Sequence, residues 1–75
     1  MDYVAETNTL ISSLKLEGLV VEAGKLQEAM DAASTGGELI DRVKFELETM
    51  SGNPISETAK ARIRKLLQGI IEFRK

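Results

Sequence analysis

With 75 residues, a formal net charge of -2 and neither cysteine nor histidine, the chain has room for one small domain, residues 1–75. It has no disulfide staple and lacks the thiolate and imidazole that supply most metal sites and general bases. One tyrosine and two phenylalanines are a thin supply for stacking on nucleic-acid bases, and a weak negative charge gives no general attraction to phosphate.

The first predicted helix covers residues 3–15. Tyr3, Val4, Leu10, Ile11 and Leu14, with Thr7 in the same arc, recur at the three-and-four spacing of an amphipathic helix. Its polar face is Glu6, Asn8, Ser12 and Ser13, small polar residues that favour helices weakly, so this helix is expected to be the least stable. The opening stretch is acidic and has no long apolar run, which predicts neither a secretory signal nor a membrane span and points to a cytoplasmic protein. Lys15 to Gly18 make a short connection in which Gly18 is free to take the positive φ that ends a helix.

The second helix is predicted over residues 18–33, with Leu19, Val20, Ala23, Leu26 and Met30 on one face, Ala33 at its edge and Val21 pointing away. Gly24 falls inside the pattern at a cost of about 1 kcal/mol relative to alanine, which predicts the close passage of another backbone.

The third helix, residues 36–50, has its start, inner face and end written in the sequence. Thr35 and Glu38 have the spacing of a capping box, in which the Thr hydroxyl accepts the Glu38 amide proton and the Glu38 carboxylate returns to the Thr35 amide. At about 100° per residue, Leu39, Ile40, Val43, Leu47 and Met50 share one apolar arc. Ser51, Gly52, Asn53 and Pro54 follow as a predicted left-handed cap and stop. Phe45 breaks the pattern, projecting opposite that arc between Glu38, Asp41 and Glu48.

The fourth helix is predicted over residues 56–74, with Ser56 as N-cap and Glu57 in the first turn, where negative charge suits the helix dipole. Ile55, Ala59, Ile63, Leu66, Leu67, Ile70, Ile71 and Phe73 spread over nearly half its circumference, so it is expected to be the best buried or to serve two surfaces. Gly69 again suggests a close approach. Four amphipathic segments joined by short connections predict an all-α fold, a small antiparallel four-helix bundle.

Charge is distributed unevenly. Residues 1–57 carry eleven acidic and four basic side chains, a net of -7, whereas residues 58–75 carry six basic and one acidic, a net of +5. The plain account is a basic helix packed beside acidic ones, with cations gathered toward a helix C-terminus.

Catalysis is not expected. None of Ser12, Ser13, Ser34, Ser51 and Ser56 stands beside a predicted buried lysine, and Asp41 and Glu48 lie too far apart along the axis to share a metal unaided. No cofactor or metal is predicted. The Thr35-Gly36-Gly37 turn offers free amides to an anion but lacks the lysine and strand of a phosphate loop, and the capping box already accounts for it. Arg62, Arg64 and Lys65 give the fourth helix a basic surface, and a helix after a Gly-Asn-Pro turn is superficially similar to a helix-turn-helix, so a nucleic-acid-associated regulator is the runner-up. Against it stands repulsion from the acidic helix before it and the salt sensitivity of a few phosphate contacts. A membrane partner is not expected, because the apolar face of the basic helix is needed to complete the bundle.

The leading expectation is recognition of another protein. Phe45 ringed by Glu38, Asp41 and Glu48 resembles, as a design, the surfaces that small acidic inhibitor or immunity proteins turn toward basic enzymes: the aromatic anchor supplies energy and the carboxylates steer encounter. The likeness is to a design and not to a family motif. A homodimer satisfies the same facts, since an acidic face and a basic helix on one chain can meet their symmetry mates.

Overall fold

The starts of three of the four helices are fixed by a side-chain oxygen that takes up otherwise unpaired amides, the exception being the second, which Leu19 precedes without a side-chain cap. In the computed structural model, which describes residues 2–73, helix α1 spans Tyr3–Leu16 and begins at Asp2, whose carboxylate accepts from the amides of Val4 and Ala5, both at 3.1 Å. Its buried stripe is Thr7, Leu10, Ile11 and Leu14. Thr7 is fully enclosed, and its hydroxyl donates to the Tyr3 carbonyl at 2.6 Å; among the described residues no buried side-chain polar atom is left unpaired. The helix ends as the sequence predicts, on Gly18 at φ +80. The Leu19 amide returns to the Leu14 carbonyl at 2.8 Å and the Gly18 amide to that of Lys15 at 3.0 Å, the two bonds of a Schellman cap.

Helix α2, Val20–Ala32, buries only Ala23, Leu26 and Ala29. Two departures from expectation occur here. Val20 is 64% exposed, while Ala29 is buried; Met30, half-buried, packs against the core as its spacing predicts. Val20 stands on the first turn and is left largely to solvent, whereas Ala29 lies on the flank toward the helix that follows. Gly24 is exposed and a β-carbon built on it would meet nothing within 4 Å, so no backbone passes close to it.

Helix α3, Gly36–Met50, starts at Thr35, whose hydroxyl accepts the Glu38 amide at 3.1 Å. The reciprocal half of the capping box is not made: the Glu38 carboxylate turns forward to Arg42 Nε at 2.8 Å, one helical turn on. Val43, Leu47 and Met50 are buried and Leu39 and Ile40 half-buried, which is the predicted inner face. The end differs from expectation, since Ser51 sits at φ -64 and no residue of the turn adopts positive φ. The amides of Gly52 and Asn53 bond back three residues to Thr49 and Met50, so right-handed turns satisfy the last carbonyls and Pro54 alone enforces the stop.

Helix α4, Glu57–Phe73, is capped by Ser56, whose hydroxyl oxygen accepts the Ala59 amide at 3.1 Å. That hydroxyl also donates to the Glu17 carboxylate, which in turn lies 3.8 Å from Arg62. The corner between α1 and α2 is thereby tied to the start of α4. The buried stripe is Ala59, Ile63, Leu66 and Ile70, narrower than the sequence suggests, with Ile71 and Phe73 at 36% and 59% exposure. Phe73 is tilted against Tyr3 with ring centroids 5.2 Å apart, and the Tyr3 hydroxyl donates to the Gly69 carbonyl at 2.9 Å. The width of the apolar pattern thus covers a core and a clasp between the first and last turns. Residue 74 of the predicted fourth helix, and with it Arg74 and Lys75 of the basic tail, lies outside the described residues.

The helices close into a ring in which α1 packs on α2 and α4, and α3 on α2 and α4. This antiparallel four-helix bundle measures 29 × 23 × 19 Å. One aliphatic cluster runs through all four helices, from Leu10 and Leu14 through Leu26 and Leu47 to Ile63 and Ile70. No helix of the described residues is long and apolar enough to cross a membrane.

Candidate functional site

A helix that buries Val43 and Leu47 must turn position 45 away from the core, because each residue advances the side chain by about 100°. Phe45 is 65% exposed at the middle of the outer surface of α3. A ring so placed is unusual where other large side chains of the helix are turned inward, and it stands on a rigid element rather than a loop.

The ring borders a groove of about 620 Å³ between α2 and α3. From α2 come the small side chains Ala29 and Ala32 and the carboxylate of Glu28. From α3 come Glu38, Asp41 and Phe45 along the outer surface and Arg42 and Glu46 along the flank that faces α2. Four carboxylates and one guanidinium line it, and the guanidinium is already bonded to Glu38 at 2.8 Å. The residual charge is therefore acidic. The carboxylates of Glu28 and Glu46 form no hydrogen bond or ion pair among the described residues, which leaves both available to a cation brought by a ligand.

Of the four residues singled out in the sequence, Glu38, Asp41 and Phe45 lie on this groove. Glu48 does not; it stands two turns beyond Asp41, past residues 38–46 that line the groove, and is paired with Lys44 at 3.5 Å. Glu28, Ala29, Ala32 and Glu46 belong to the groove and escape sequence reasoning, because they enter it only through the pairing of α2 with α3. The signal that could have found them is Ala29 and Ala32, small residues three apart on one flank of α2, where a neighbouring surface can come close.

The basic residues are dispersed. Arg62 and Lys65 line a second groove of about 390 Å³ between α1 and α4, with Glu6, Thr9 and Ser13 on its walls. Arg62 is engaged with Glu17, and Arg64 is exposed more than a quarter-turn away from Lys65 around α4. The three cations do not converge on one face, as contacts to successive phosphates along one groove require. Among the described residues no group of three acidic side chains is disposed to hold a metal ion.

Compared with family models, with curated proteins and with solved structures, the chain matches none.

Proposed function

We propose that the protein is a non-catalytic interaction module that binds a basic partner protein through the α2–α3 face, in the manner of an inhibitor or immunity protein. The exposure of Phe45 within an acidic groove carries this reading. An aromatic side chain can contribute 2 kcal/mol or more, as an order of magnitude, when a partner encloses it, and surrounding carboxylates raise the rate of encounter with a cationic surface. The absence of histidine and cysteine from the sequence fits a role in binding rather than in chemistry.

The test uses the full chain as bait, immobilised beside its Phe45→Ala variant at equal density after their thermal melts have been matched. A basic protein, for instance the product of a neighbouring reading frame, is expected to be retained by the wild type and lost from Phe45→Ala. Retention by both baits alike, or retention lost equally from an Arg62→Ala variant, overturns the assignment to this face.

A further inference from the structure

Resting on that reading of the α2–α3 face, we infer that the groove receives a cationic amphipathic α-helix of a partner chain, laid along the valley between α2 and α3. Three features of the groove argue for this occupant.

The first is shape. Ala29 and Ala32 put methyl groups where longer side chains would stand, so the floor of the valley is low, and Phe45 rises beside it. A rod seated there can approach both flanking helices at ordinary helix-packing distance. A helix also brings its backbone amides and carbonyls already paired. A loop or strand would set unpaired backbone carbonyls over alanine methyls, an aromatic ring and carboxylates, in a groove whose one cationic donor, Arg42, is already bonded to Glu38.

The second is charge. Glu28 on one wall and Glu46 on the other are carboxylates without a protein partner among the described residues, and with Glu38, Asp41 and Arg42 they give the groove a formal charge of -3. An apolar ridge flanked by lysine or arginine on both sides matches that layout, which is the helix-in-groove mode of recognition with its polar rim specified.

The third is what the chain itself cannot supply. Packing the groove against its own twofold mate would set carboxylate against carboxylate. The chain's own basic helix, α4, has Ala59, Ile63, Leu66 and Ile70 committed to the core of its bundle. Outside that core stripe Leu67 is half-buried against the cluster and Phe73 is held against Tyr3, which leaves Ile71, at 36% exposure, too little for an apolar ridge along the groove, so the occupant is assigned to a different chain.

The experiment uses a fluorescein-labelled synthetic peptide of about five helical turns, built of leucine, alanine and lysine in amphipathic order. A scrambled isomer of the same composition and a version with glutamate for lysine serve as comparisons. Binding to the full chain is read by anisotropy at low and moderate salt, and peptide helicity by circular dichroism. The ordered cationic peptide is expected to bind at least tenfold more tightly than its scramble and to gain helix on binding. Phe45→Ala and, independently, Ala32→Leu, which raises the floor, are each expected to weaken it at least tenfold. The double variant Glu28→Gln/Glu46→Gln is expected to flatten the salt dependence. Leu16→Ser, at the exposed α1–α2 corner, is expected to leave binding unchanged.

Equal binding of ordered and scrambled peptides overturns the inference, as does indifference to both Phe45→Ala and Ala32→Leu. A dimer by light scattering that Phe45→Ala dissociates overturns it as well, in favour of a second copy. If a folded basic protein is captured in a Phe45-dependent way while no ordered peptide binds, the helical occupant is refuted and the face stands; if neither is bound, both are refuted.

Discussion

Replacing Leu47 by alanine separates the inner from the outer side of α3 in energetic terms. Leu47 is fully buried, and the change deletes three carbon atoms, worth about 2.4 kcal/mol at about 0.8 kcal/mol per buried carbon. Partial collapse of the space left behind adds to this, placing the expected loss at about 2 to 5 kcal/mol. A chain of this size has about 4 to 11 kcal/mol of total stability. The variant should therefore lose a large fraction of it, with a fall in melting temperature of about 4 to 8 °C per kcal/mol. Phe45→Ala is the internal control: with the ring 65% exposed, only about a third of the 1.5–3 kcal/mol for full burial is at stake, or less than about 1 kcal/mol. Urea and thermal melts followed by far-ultraviolet circular dichroism measure both, with the denaturant slope expected to stay constant. A loss of a few tenths for Leu47→Ala, together with a large loss for Phe45→Ala, would reverse the assignment of faces and remove the basis for the docking groove.

Two glycines should respond with opposite sign. Gly24→Ala, at an exposed helical position with open space around it, is expected to raise stability by about 0.5 to 1 kcal/mol. Gly18→Ala, at φ +80, is expected to cost about 1 to 2 kcal/mol; urea melts of the two variants decide the matter. Thr35→Ala removes the hydroxyl that accepts the Glu38 amide and should cost about 0.5 to 2 kcal/mol. Glu38→Gln, which leaves that bond intact and weakens only the exposed pair with Arg42, should cost less than about 0.5 kcal/mol on the same melts.

Helix existence and facing are legible in this sequence because period and punctuation agree. Leu39, Ile40, Val43, Leu47 and Met50 mark the inside of α3, and Thr35, Gly18 and Ser56 mark ends with their own side chain or backbone freedom. What is not legible depends on which helices become neighbours. Gly24 looks in sequence like a crossing point and is merely exposed, and Val20 fits the apolar spacing of α2 yet is left 64% exposed. Gly52 has the conformational freedom for a left-handed cap but does not use it, since bonds to Thr49 and Met50 end the helix in right-handed turns. The same limit applies to the candidate site. Periodicity within α3 suffices for Glu38, Asp41 and Phe45, whereas Glu28, Ala29 and Ala32 join them only across the α2–α3 seam, and Glu48 lies beyond the stretch of α3 that lines the groove.

The bond from Tyr3 to the Gly69 carbonyl joins residues 66 positions apart, so the two extremities of the fold hold one another. In most helical bundles terminal turns unravel independently, each at little cost. Here the unravelling of α1 withdraws both the phenol that anchors Gly69 and the ring that shields Phe73, and the last turn of α4 loosens in the same event. Amide protons at the two extremities should consequently exchange with solvent in step, as one shared opening.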